Sequence, residues 1–194
     1  MKKILRLNIL LLAFILIGCS SEAIETNMSE KVDDFHFTTQ DNESLSLKDL
    51  EGKWWIADFI FTNCTTVCLP MTANMAELQS RINAQNLDVQ LVSFSVDPDY
   101  DTPEVLKEYG NSYQADFENW SFLTGYDFQT IKELSIKSFK NLVKEPLEGD
   151  DQVMHGTRFF LVNPDGEVIK GYDGISSSEI DVIVEDLMAV TAKE

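Results

Sequence analysis

The chain reads as an α/β domain with a central mixed sheet flanked by helices. Three observations lead there. Trp54–Phe61 and Leu91–Val96 are almost unbroken apolar runs, the pattern of strands buried on both faces. The segments after them place apolar residues at helical spacing, so strands and helices alternate. Near the C-terminus, Asn163-Pro164-Asp165-Gly166 is a turn signal between two strand-like stretches, and a last amphipathic segment follows.

Taken in order, Phe35-His36-Phe37-Thr38 alternates as a short strand, Asp41–Ser44 is a turn, and Leu45-Ser46-Leu47 closes an N-terminal hairpin. Trp54–Phe61 is the first central strand. Met71, Met75, Leu78 and Ile82 then share one helical face, with Pro70 in the first turn, where a missing N–H costs nothing. Leu87–Val96 is the second central strand and Asp97-Pro98-Asp99 stops it. Thr102-Pro103-Glu104 opens a helix, with Thr as cap and Pro at the first position. Trp120–Leu123 is a third strand. Asp127 caps a helix that turns Phe128, Ile131 and Leu134 inward. Lys140–Val153 is polar and turn-rich, so a loop is expected. Arg158–Val162 and Glu167–Tyr172 pair across the turn, and Ser178 is expected to cap a final helix carrying Ile180, Ile183, Val184, Leu187 and Met188. A parallel βαβ core continuing into an antiparallel hairpin and a last helix describes a thioredoxin-like domain.

The N-terminus reads differently. Lys2, Lys3 and Arg6 precede a continuous apolar run, Leu7–Ile17, too short for a comfortable membrane span and ending in Leu16-Ile17-Gly18-Cys19. This pattern resembles a bacterial lipoprotein signal over residues 1–18, with Cys19 expected as the lipidated first residue of the mature chain; the plain alternative is an ordinary signal peptide or an uncleaved anchor. Residues 19–32 are expected to be a flexible tether and 33–194 the folded domain. Two acyl chains suffice for stable anchoring, so the expected location is the cell membrane, facing the extracytoplasmic side. The formal charge of −18 argues against nucleic acid, which requires clustered Lys and Arg. Loss of the signal would remove three positive charges and leave −21. An acidic surface of this kind can steer a basic partner.

The chain has three Cys and two His. With Cys19 committed to lipid, Cys64 and Cys68 remain, outside the reducing cytoplasm. A purely structural disulfide is a poor reading, since bridging so short a loop removes little chain entropy. Cys64 follows a central strand and Cys68 opens the next helix, whose free N–H groups favour thiolates. Two thiolates and the imidazole of His155 suit copper, while the same thiols could form a redox-active disulfide. His36 lacks such a context and reads as structural. Met71 and Met75 are soft donors, but their spacing places them in the core.

Phe61-Thr62-x-Cys64-x-x-x-Cys68-x-Pro70, Asp97-Pro98 with Asp101-Thr102-Pro103, and His155 ahead of Phe159–Gly166 together resemble the Sco/SenC family, over Val32 to the end. Members are thioredoxin-like, membrane-tethered copper proteins that help assemble the binuclear copper centre of cytochrome c oxidase. The resemblance implies that Cys64, Cys68 and His155 are copper ligands, for Cu(I) or Cu(II), and that the partner is the copper-bearing subunit of the oxidase. A monomer is expected. Thr65 and Leu69 stand where many relatives have proline, and Gly156 is expected to loosen the histidine loop. Asp97 and Asp101 are candidates for a supporting role around the metal, although turn formation and capping explain them too.

Asp58 lies mid-strand in the apolar run. The plain expectation is an acid satisfied by local hydrogen bonds. Thioredoxin-like oxidoreductases carry a buried acid in a similar place that relays protons, and burial would raise its pKa. Two enzyme readings stay open. A thiol–disulfide oxidoreductase, reducing the cysteines of the copper acceptor, is weakened by the long Cys spacing and by the absence of proline from His155–Arg158. A peroxiredoxin-like protein, using Thr65, Cys68 and Arg158, lacks the upstream proline, because Phe61 stands there.

Overall fold

The computed structural model describes residues 24–149 and 152–192. Cys19, the signal at 1–18 and the first part of the tether lie outside the described residues. Eight strands form one sheet: β1 (Glu30–Lys31), β2 (His36–Thr39), β3 (Ser44–Ser46), β4 (Trp54–Ile60), β5 (Val89–Ser95), β6 (Trp120–Thr124), β9 (Arg158–Val162) and β10 (Glu167–Asp173). The helices are α1 (Cys68–Ala84), α2 (Pro103–Ser112), α3 (Phe128–Phe139) and α4 (Glu179–Thr191). Strand order is β1-β10-β9-β4-β5-β6-β2-β3. β4, β5 and β6 are parallel, β9 runs antiparallel to β4, and β2–β3 is the expected hairpin. The thioredoxin-like expectation holds.

Alternation along β4 puts Trp55, Ala57 and Phe59 on one face and Ile56, Asp58 and Ile60 on the other. The first face packs on α3 through Phe139, whose ring lies 5.2 Å from Phe59, 5.3 Å from Phe160 and 6.0 Å from Phe94. Truncating such a ring to alanine typically costs about 3–5 kcal/mol. α1 and α4 pack on each other. Asp127 and Thr102 cap α3 and α2 as expected, accepting from the Thr130 and Val105 N–H groups.

Three local expectations are corrected. Residues from Ile24 onward are not a free tether: Asn27 and Met28 both donate to the Ile169 carbonyl, Glu30 and Lys31 pair with Val168 and Glu167, and Val32 is buried. The edge of β10 offers unpaired backbone groups, which a polar segment can satisfy without any apolar period. Within the expected loop at 140–153, Val143–Lys144 forms β7, which pairs with β8 (Met154–His155); two residues are too few to show a period. Ser178 does not cap α4; its hydroxyl bonds Ser176 instead.

Candidate metal centre

The parallel strands β4 and β5 end at one pole, and so does the start of the antiparallel β9. Topology therefore brings Thr62–Val67, Asp97–Thr102 and the β8–β9 connection together, the place where open α/β sheets collect functional groups. Cys64, Cys68 and His155 meet there. One Sγ or ring nitrogen from each lies within 4.8 Å of the others, and all three residues are buried. Among the described residues this is the one cluster of three or more His, Cys, Asp or Glu groups drawn so close.

Each side chain has an identifiable support. α1 starts without a side-chain cap from Val67, and the Cys68 N–H points instead at the Cys64 sulfur, 3.4 Å away. Cys64 thus sits where a helix N-terminus favours negative charge. Its thiol is pushed well below the ordinary range, first by the hydrogen bond from Cys68 and further by backbone N–H groups, against the opposing effect of burial. Cys68, more deeply placed, is pushed far up by that same bond and by burial. These directions, with the Cys68 N–H aimed at the Cys64 sulfur, favour the thiolate on Cys64 rather than on Cys68. Both are free of any disulfide.

His155 Nε2 lies 3.1 Å from Cys68 Sγ, and Nδ1 lies 2.9 Å from the Gly156 carbonyl. A carbonyl only accepts, so Nδ1 carries the hydrogen and Nε2 turns its lone pair toward the sulfurs. The Phe61 ring stands edge-on to the imidazole at 5.7 Å. Gly156 does not loosen this loop, contrary to expectation. Its N–H bonds the Leu142 carbonyl, and a Cβ there would fall 1.9 Å from Asn141 Oδ1. The glycine permits a close approach.

The acids separate into different roles. Asp97 and Asp101 are not among the clustered donors. The Asp97 carbonyl accepts from the Tyr100 and Asp101 N–H groups, a turn-forming role. Asp101 is buried and accepts from Thr62 N–H, Thr62 Oγ1 and Ser95 Oγ, so it ties the cysteine loop to the end of β5. Asp58 departs from the plain expectation: it is wholly buried and neither carboxylate oxygen has a hydrogen-bond partner. The Ser93 hydroxyl, opposite it on β5, accepts from Trp120 Nε1. Desolvation pushes the Asp58 carboxyl up to about 7, against the smaller opposing pulls of Ser93 and His155. Of the residues named in the peroxiredoxin-like reading, Thr65 bonds Gln152 and Arg158 is exposed. Gln152 was not singled out in the sequence; a lone glutamine in a polar stretch carries no signal.

A family model described as SCO1/SenC matches residues 24–192. The chain belongs to the SCO1/SenC family. The SCO1 protein homolog of Bacillus subtilis (strain 168) is 45% identical over 191 residues, covering 98% of each chain. BsSco, described as having a disulfide switch and as a member of the Sco family of cytochrome c oxidase assembly proteins, aligns with a TM-score of 0.80 at 46% identity, over 88% of this chain and 99% of that one. ScoI of Bradyrhizobium japonicum, solved with copper bound, aligns with a TM-score of 0.67 at 25% identity, over 80% and 98%.

Proposed function

We propose that this SCO1/SenC protein is a membrane-anchored copper carrier that binds copper through Cys64, Cys68 and His155 and delivers it to the copper-bearing subunit of cytochrome c oxidase. The observation that carries this reading is the buried cluster of two sulfurs and one Nε2 lone pair within 4.8 Å. Soft sulfur with an imidazole is a donor set for copper rather than for magnesium or calcium. Copper bound in a solved family member supports it. The metal is cargo here. Cys64 meets it already deprotonated, Cys68 must release its proton as the metal enters, and the Nδ1–H bond to Gly156 keeps the His155 lone pair aimed at the site. The anchor rests on Cys19 and the apolar run before it; among the described residues no helix is long and apolar enough to cross a membrane.

A second reading has its own observation, the geometry of the thiols: the Cys68 N–H points at the Cys64 sulfur while Cys68 itself is fully buried. A Cys64 thiolate beside a deeper Cys68 thiol is the arrangement of an attacking and a resolving cysteine, and it supports thiol–disulfide exchange with the acceptor's cysteines. The two roles are compatible, since an acceptor must be reduced before it takes copper.

The test is an anaerobic titration of the reduced protein with Cu(II), following sulfur-to-copper charge-transfer absorption, with His155→Ala in parallel. A saturable one-to-one band that weakens in the variant is expected. Absence of a band, or plain oxidation of the thiols to a disulfide, overturns the carrier reading in favour of thiol exchange.

A further inference from the structure

The two loops that supply the donors come from distant parts of the chain, and a single side chain outside the donor set joins them on both sides of Cys64. Gln152 Oε1 accepts from Thr65 N–H at 3.2 Å and from Thr65 Oγ1 at 3.4 Å. Its Nε2 donates to the Asn63 carbonyl at 3.1 Å. The amide therefore spans Asn63 and Thr65 with Cys64 between them, and it stands three residues before His155, just ahead of the strand that carries the imidazole. Among the described residues the two loops also meet where the Phe61 ring stands edge-on to the His155 imidazole at 5.7 Å and where Cys68 Sγ lies 3.1 Å from His155 Nε2. That contact cannot persist unchanged once the sulfur and nitrogen both turn to a metal, or once Cys68 enters a disulfide. The Gln152 bonds use backbone and hydroxyl groups that neither event consumes.

We propose that Gln152 is a positioning residue that latches the histidine loop to the cysteine loop and keeps His155 within reach of the thiols in the metal-free, metal-bound and disulfide states. This rests on the copper reading above for its metal-bound part only. A ligand delivered by a loop held within a few ångströms acts at high effective concentration, and loss of the latch lowers that concentration without removing a donor. Supporting groups of this kind typically change metal retention by about 10–100-fold.

The experiment is a double-mutant cycle on the full chain in detergent, with Gln152→Ala in the native and His155→Ala backgrounds. Copper is loaded without oxygen and its loss to excess EDTA is timed on the charge-transfer band. Gln152→Ala alone should keep the band and lose copper about tenfold faster. In the His155→Ala background the same change should alter the rate less than about twofold, because the histidine it positions is gone. An unchanged rate in the native background, or equal acceleration in both backgrounds, overturns the latch. A metal-free arm separates this from the copper reading. In the reduced apoprotein, Gln152→Ala should speed exchange of the Thr65 amide hydrogen and weaken the nuclear Overhauser contact between the His155 and Phe61 rings. If native protein gives no copper band, the copper reading fails and this arm still decides: both signals unchanged in the variant refute the latch.

Discussion

Replacing Asp58 by Asn should change how stability depends on pH. The carboxyl is buried without a hydrogen-bond partner, and desolvation lifts it from an ordinary 3.8 to about 7. In the unfolded chain it ionises near 3.8, so between that pH and about 7 the native state binds one more proton than the unfolded state. Stability supplied by this group must then fall as pH rises through that window, at about 1.4 kcal/mol per pH unit. Over the interval from 3.8 to about 7 the loss is of order 4 kcal/mol. Below pH 4 the group adds no penalty from ionisation; above pH 7 the full penalty applies. An asparagine has no such titration. The buried amide brings its own cost, about 1–3 kcal/mol if unpaired, but that cost is constant with pH and shifts the curve without tilting it. Urea unfolding of reduced, metal-free protein from pH 4.5 to 8 gives the difference between native and Asp58→Asn at each pH. The variant should gain on the native protein by several kcal/mol across the range. A difference that stays flat refutes the assignment of a buried, unpartnered acid to this strand.

Other consequences can be checked alongside. Alkylation of the reduced apoprotein by iodoacetamide should label Cys64 well ahead of Cys68 and should continue below pH 7, because Cys64 is held as a thiolate and Cys68 as a thiol; faster labelling of Cys68 on peptide mapping contradicts that order. Asp101→Ala strands the Thr62 amide and the Thr62 and Ser95 hydroxyls, so the urea midpoint should drop by the equivalent of about 2–4 kcal/mol; a change within experimental error argues against the tie. Gly156→Ala forces Asn141 away from its bond to Ser135 and should cost about 1–3 kcal/mol while loosening copper retention, both measurable on one sample; full stability would show that the close approach is unimportant.

Much of this was readable because strong local patterns carried it. Trp54–Phe61 has no polar alternation, so its double burial follows, and the two cysteines straddle the strand–helix junction that any thioredoxin-like order places at the functional pole. His155 needed the surrounding motifs, since one histidine carries no direction of its own. What escaped has a common cause: it depends on backbone or on single polar contacts across long sequence separations. The β1 pairing to β10 uses main-chain groups that residue identity does not reveal. Gln152 meets Asn63 and Thr65 across nearly ninety positions of sequence. Gly156 was read for flexibility, whereas its reason is the Asn141 side chain beside it. Asp58 was expected to find local partners; neither of its carboxylate oxygens has one, although the Ser93 hydroxyl lies opposite it on β5.

The short strand at the N-terminal edge also bears on the proposed anchor. β10 runs toward the metal pole, ending at Asp173 opposite Arg158, and β1 runs against it. Followed backward from Lys31 to Asn27, the chain climbs from the level of Glu167 to that of Gly171, and Ile24 packs on the core. The described chain therefore begins on the side of the cysteines. From Ile24 to Cys19 there are five residues, a reach of about 18 Å at full extension. With lipid on Cys19, so short a leash leaving from this end would hold the thiols toward the bilayer. An acceptor embedded in the same membrane would be met by lateral diffusion, with little need for the domain to turn over.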